Sequence, residues 1–219
     1  TVEELDLLQK RLTRYFGAID PFEIDWQRVA AANALANRIS VISGGPGTGK
    51  TTTVFNILLS LIDLHNFRLE ERGRIKNSEP LSILLTAPTG KAAGRLTESI
   101  MGQKNRYQNE SDIAPQAELI PSESQTLHRL LGINALTKAP RYHRHNPLQF
   151  DLLVVDEASM IDQTMLSYLI DALPAQGRVI FLGDKDQLAS VEAGSIMHEL
   201  CYHENYSSDH LEYLSKNLM

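Results

Sequence analysis

Two periodicities alternate along this chain of 219 residues. Short, almost wholly apolar runs occur at residues 39–43 (ISVIS), 81–87 (LSILLTA), 151–156 (DLLVVD) and 178–183 (RVIFLG). They are apolar on both faces, the pattern of parallel strands covered by helices on either side. Between them, apolar residues recur at helical spacing. Val2, Leu5, Leu8, Leu12 and Tyr15 or Phe16 predict a helix over 2–16. AIDPFEID (18–25) is a linker, and Asp25 is the N-cap of a second helix over 26–37, near which Trp26 and Phe22 are expected in the core. A third helix runs from 49 to about 65, with Val54, Leu58, Leu61 and Ile62 on one side. FRLEERGRIKNSEP (67–80) reads as a charged surface loop, TGKAAGRLTESIM (89–101) as a crossover helix, and 102–123 as polar and irregular. A short helix is expected at SQTLHRLLG (124–132). Asp162 caps a helix carrying Leu166, Leu169, Ile170 and Leu173, which Pro174 ends. GSIMHELCYH (194–203) starts another. Strands alternating with helices make an α/β fold with a parallel sheet and right-handed crossovers.

Composition narrows the class. The net charge of −6 argues against a protein wrapped in nucleic acid by bulk charge, but leaves room for a local basic track. Cys201 is the single cysteine, so neither an internal disulfide nor a cysteine-based zinc site is available. No apolar run is long enough to span a membrane, and the start does not resemble a signal peptide, so a cytoplasmic location is expected. The tail HENYSSDHLEYLSKNLM stops without a closing element, which leads us to expect a piece of a longer chain.

The chemistry sits where strands end. GGPGTGKT (44–51) fits the P-loop (Walker A) pattern G-x-x-x-x-G-K-[ST] and lies between a strand and a helix. Gly45, Pro46, Gly47, Thr48, Gly49, Lys50, Thr51 and Thr52 are therefore candidate nucleotide-binding residues. Their backbone N–H groups would face phosphate oxygens at a helix N-terminus, with Lys50 on the β- and γ-phosphates and the Thr51 hydroxyl on Mg²⁺. In LLVVDEAS a strand ends in Asp156, the second candidate Mg²⁺ residue, and Glu157, a candidate general base for an attacking water. This acidic pair points to hydrolysis of ATP. In VIFLGDKDQL the fourth strand delivers Gln187, which could donate to phosphate or accept from water without adding charge. Asp184 and Asp186 either contact Mg²⁺-bound water or close the turn. Gln27 has the donor and acceptor that the adenine edge requires, in free ATP as much as in DNA; a helix-surface glutamine is the plainer alternative.

A second set suggests nucleic acid. Residues 124–150 contain no Asp or Glu but hold Arg129, Lys138, Arg141, Arg144, His128, His143, His145 and Tyr142. That mixture suits a single-strand backbone track, or else a solvated hairpin. Thr89, Lys91 and Arg95 follow a strand and could hold a phosphate, or else Thr89 caps a helix.

Taken in order, GGPGTGKTTT, APTGKAAGRLTES, TLHRLLG, VVDEASM and GDKDQL resemble superfamily 1 DNA helicases of the RecD family, over most of the chain. The resemblance implies a RecA-like P-loop NTPase domain, cut short, with sheet order 2-3-4-1 and the P-loop strand at an edge. It divides the chain into an N-terminal helix and linker (1–24), the first motor lobe (25–203) and a tail leading onward (204–219). It implies that Lys50, Asp156, Glu157 and Gln187 are catalytic and that Gln27 reads adenine. Thr89, Lys91, Arg95, Thr126, His128 and Arg129 would face DNA. It further implies 5′-to-3′ movement on single-stranded DNA, action on duplex DNA, and assembly with RecB and RecC as in exonuclease V. RecD-like branches that work without those partners are the alternative, as is an ATP-dependent switch module with no motor. The arginine-bearing later motifs of the family have no match here, so unwinding by this stretch alone is not expected.

Overall fold

In the computed structural model, residues 2–18, 22, 24–71, 73, 79–186, 201 and 208 are described. Helices α1 (Val2–Phe16) and α2 (Trp26–Ala36) precede strand β1 (Ile39–Ser43). Helix α3 (Lys50–Glu71), strand β2 (Ile83–Ala87), helix α4 (Gly90–Tyr107) and helix α5 (Ala114–Glu118) follow. The chain continues through β3 (Gln125–Thr126), α6 (Leu127–Leu130), β4 (Leu152–Val155), a 3₁₀ turn (Ala158–Met160), α7 (Gln163–Asp171) and β5 (Arg178–Gly183). The expected caps form: the Asp25 carboxylate accepts from the N–H groups of Gln27 (3.0 Å) and Arg28 (3.1 Å), and Asp162 accepts from Met165 N (2.7 Å).

The strands pair in the order β1-β5-β4-β2-β3, all parallel. The four long strands thus keep the expected order, with the P-loop strand β1 at one end. The addition is β3, a two-residue strand beyond β2. Gln125 and Thr126 pair with Thr86 and Ala87, and the Thr86 hydroxyl donates to Gln125 O at 2.8 Å, so helix α6 is shorter than the helix expected over SQTLHRLLG (124–132).

Three other boundaries move. Helix α3 continues to Glu71, into the stretch expected to be loop, and its Arg68 pairs with Glu4 of α1. Residues 102–123 are not irregular throughout. Helix α4 runs on to Tyr107 because Gln103 and Tyr107 extend the inward row of Leu96 and Ile100. Helix α5 follows, and Ile113, Ala117 and Ile120 bury there. Phe22 and Trp26 lie outside the core, 93% and 69% exposed: Trp26 opens α2, whose buried side is Val29, Ala31, Ala32, Ala34 and Leu35.

Alternate residues of the central strands feed two cores. Leu152 and Val154 of β4 and Ile180 and Leu182 of β5 face α1, α2, α3, α4 and α5. Leu153, Val155, Val179 and Phe181 face α6, the 3₁₀ turn and α7. Both faces are covered, which is why these strands read as continuous apolar runs. Helix α1 joins the first core through Leu8, Leu12 and Tyr15. It is also tied by polar contacts: Tyr15 Oη donates to Asp63 Oδ2 (2.7 Å), Arg11 Nε pairs with the same oxygen (2.9 Å), and Asn56 Nδ2 donates to Tyr15 O (2.8 Å). Among the described residues no helix is long and apolar enough to cross a membrane.

Candidate nucleotide site and adjoining sheet edge

Parallel strands place all their carboxyl ends along one edge, and the candidate residues collect there. The loop after β1 is locked to its neighbour: Gly44 N donates to Gly183 O (3.1 Å), and Lys185 N donates to the Ser43 hydroxyl oxygen (3.0 Å). Gly47 (φ +75°) and Gly49 (φ +81°) adopt the left-handed conformation that lets the loop curl around its interior. The Thr48 hydroxyl donates to Gly45 O (2.9 Å), and Lys50 Nζ donates to Gly44 O and Gly45 O (2.8 Å to the latter). The ammonium is therefore held at the loop itself. Thr51 and Thr52 are half-buried in the first turn of α3.

Asp156 and Glu157 follow β4 directly. Asp156 N donates to Thr86 O (2.8 Å), continuing the β2–β4 pairing by one residue, and Asp156 Oδ1 accepts from Glu157 N (2.9 Å). Burial pushes the Asp156 carboxyl above the usual carboxylate range. The Glu157 N–H pulls it back, the Glu157 carboxylate adds to the rise, and the Lys50 ammonium opposes it. The electrostatic coupling to Lys50 puts the carboxylate and the loop lysine in one field. Glu157 is left-handed (φ 50°, ψ 40°), a conformation disfavoured for a residue with a Cβ and concentrated at functional sites.

Beyond β5, Asp184 is buried and its Oδ1 accepts from Asp186 N (3.0 Å), so Asp184 closes the turn. Gln187 lies outside the described residues, as does nearly all of GSIMHELCYH. Gln27, from the first turn of α2, reaches the P-loop: its Nε2 donates to Thr48 O at 3.1 Å. Sequence reasoning missed Ser43 as part of this edge; its place immediately before the loop glycines was the available signal.

The other candidate set lies at the β2–β3 end of the same edge. Thr89 and Thr126 are both N-caps, accepting from Ala92 N (3.2 Å) and Arg129 N (3.3 Å). Ala87 pairs with Thr126, so the two caps are neighbours. Lys91, Arg95, His128 and Arg129 are exposed beside them. Of the acid-free segment, Arg144 is paired with Asp171 (3.1 Å) and Arg141 lies over the Tyr142 ring (5.5 Å).

A parallel sheet covered on both faces, with a glycine-rich loop after β1 and an acidic pair after β4 on one edge, and β5 between those two strands, defines a P-loop nucleotide-binding domain. The chain belongs to the AAA domain family, whose model matches residues 27–193. It is 45% identical over 212 residues to the RecBCD enzyme subunit RecD of Haemophilus influenzae, covering 95% of this chain and 31% of that one. With the RecBCD enzyme subunit RecD of Mycolicibacterium smegmatis it shares 40% identity over 190 residues, 86% of this chain and 31% of the relative. With the ATP-dependent RecD2 DNA helicase of Deinococcus radiodurans it shares 36% over 161 residues, 72% and 17%. The resemblance to RecD proteins that the motifs suggest thus extends across most of the chain. The chain spans less than a third of the length of these curated relatives.

Proposed function

We propose that this chain is the ATP-binding part of a RecD-type DNA helicase, whose ATP hydrolysis drives 5′-to-3′ movement along single-stranded DNA. The observation that carries the reading is that Lys50 and Thr51 open the helix that follows the loop after β1, while Asp156 and Glu157 directly follow β4, at one edge of a single sheet. In this reading the P-loop N–H groups and Lys50 bind the phosphates, and Gln27 reads the adenine. Thr51 and Asp156 offer hard oxygen donors that fit Mg²⁺, which when bound supplies charge neutralisation at the phosphates. Glu157 accepts the proton of the water that attacks the γ-phosphorus, and the bond from that phosphorus to the bridging oxygen breaks. Gln187 senses the γ-phosphate as a neutral donor. Thr89, Lys91, Arg95, Thr126, His128 and Arg129 face the DNA backbone.

Partnership with RecB and RecC is favoured over action without them because the matches to RecBCD subunits extend over 82–95% of this chain, against 72% for the RecD2 helicase. This stretch by itself binds nucleotide weakly and turns it over negligibly, since no segment of it supplies the arginines of a second lobe. ATP turnover by the whole protein with and without single-stranded DNA tests the reading.

A further inference from the structure

Helix α4 is fastened at both ends to different parts of the sheet edge. Its first half is held to the segment leading into β3: the Ser124 hydroxyl donates to Ala93 O (2.6 Å), and Ser124 N donates to the Thr97 hydroxyl oxygen (3.1 Å). That segment and the start of α4 carry Thr89, Thr126 and their basic neighbours. The second half is fastened to the first two turns of the P-loop helix. Gln103 Nε2 donates to Thr52 Oγ1 (3.1 Å). Four residues on, Tyr107 stacks on Phe55 (centroids 5.8 Å apart, planes 3° from parallel), and its hydroxyl donates to Asn56 Oδ1 (3.2 Å). Positions 52, 55 and 56 of α3 lie on one face, as do 103 and 107 of α4. From Gly90 to Gln103 the helix covers about 20 Å at the α-helical rise.

Gln103 is the unusual member of this seam. It is 8% exposed, and its Oε1 is buried with no hydrogen-bond partner among the described residues. A methionine or leucine would fill the same space without a stranded acceptor, so packing alone does not call for glutamine there. What glutamine adds is a directed bond to Thr52, next to the proposed Mg²⁺ residue Thr51.

We propose that Gln103 is a positioning residue that links the DNA-facing end of α4 to the first turn of the P-loop helix, so that DNA binding is felt at the nucleotide site. The inference rests on the helicase reading above. When DNA draws on the start of α4, the rigid helix carries the displacement to Thr52 and adjusts the turn that presents Lys50 and Thr51. Coupling through packed, hydrogen-bonded elements of this kind is what links separated sites physically.

The test compares the whole protein with its Gln103→Met variant in steady-state ATPase assays, with and without single-stranded DNA, alongside thermal melting and DNA binding. Expected are an unchanged or higher Tm, basal kcat and KM for ATP within about twofold, and DNA affinity within about twofold. The ratio of DNA-stimulated to basal turnover should fall about three- to tenfold. An unchanged ratio overturns the inference, and so does an equal fall in basal and stimulated rates, which is the signature of a merely structural role. Should Gln103→Met fail to fold, Tyr107→Phe, which removes the second polar bond of the seam while keeping the stack, takes its place: a reduced ratio supports the inference and an unchanged one overturns it. A wild-type protein showing no DNA stimulation would instead remove the helicase reading itself, and the two failures are separated by that wild-type arm.

Discussion

The side-chain amide of Gln27 donates to the carbonyl oxygen of Thr48 at 3.1 Å, joining helix α2 to the tip of the P-loop across 21 residues of sequence. One Nε2 hydrogen and Oε1 remain to meet a base. If Gln27 reads adenine, Gln27→Ala should lower the preference for ATP over GTP about tenfold, the value of one good paired hydrogen-bond contact. If it only braces Thr48, both nucleotides weaken equally. Competition binding with ATP and GTP separates the two.

Gly49 lies against that same amide. A Cβ at Gly49 would come within 2.7 Å of Gln27 Nε2, in a backbone with φ +81°. Gly49→Ala should therefore combine left-handed strain of about 1–2 kcal/mol with displacement of Gln27 from Thr48. Gly47 shares the left-handed backbone (φ +75°), but a Cβ there meets nothing within 4 Å. Nucleotide affinity should fall more for Gly49→Ala than for Gly47→Ala, and adding Gln27→Ala should shrink the difference. Equal losses in the two glycine variants would contradict the contact.

Asp156 gives a pH-dependent expectation. Its carboxyl is raised in the folded protein, chiefly by burial, so folding favours its protonated form. The stabilising contribution is present at pH below the unfolded carboxylate value and is lost as pH rises through the higher folded value. At pH 7 the ionised group is a net cost. Asp156→Asn, whose side-chain oxygen can still accept from Glu157 N, should raise Tm at pH 7 while removing Mg²⁺-dependent turnover. The gap in Tm should close as pH is lowered into the carboxylate range. A lower Tm at pH 7 would show that the ionised group stabilises the fold.

The Tyr15–Asp63 pair predicts how firmly α1 belongs to the core. Burial raises the Asp63 carboxyl, while the Tyr15 hydroxyl and Arg11 oppose that rise. Tyr15→Phe leaves a buried acceptor short of one donor. It should cost about 2 kcal/mol, or about 4–8 °C in Tm for a domain of this size. Thermal melting checks it, and a change under 1 °C would mean that Arg11 and Gln116 satisfy Asp63 without the Tyr15 hydroxyl.

The sequence made the sheet legible because β2, β4 and β5 are buried on both faces, and because β1, half-buried at the end of the sheet, still reads as an apolar run stopped by the loop glycines. The P-loop and Asp156–Glu157 could be placed at one edge for the same reason: parallel strands leave no other choice. Strand β3 was hidden, since two residues carry no periodicity and Gln125 and Thr126 are polar. The second half of α4 was hidden because its inward positions are Gln103 and Tyr107, whose burial is made possible by Thr52, Asn56 and Phe55 far away in sequence. Trp26 and Phe22 misled because large aromatic side chains signal burial, whereas small alanines form the inward side of α2.

The helicase reading is tested most directly by ATP hydrolysis of the whole protein, measured with and without single-stranded DNA and repeated with Glu157→Gln. The account predicts that DNA raises wild-type turnover severalfold. It also predicts that Glu157→Gln lowers turnover by about 10²-fold or more while nucleotide still binds. Turnover that ignores DNA, or that survives Glu157→Gln undiminished, would contradict it.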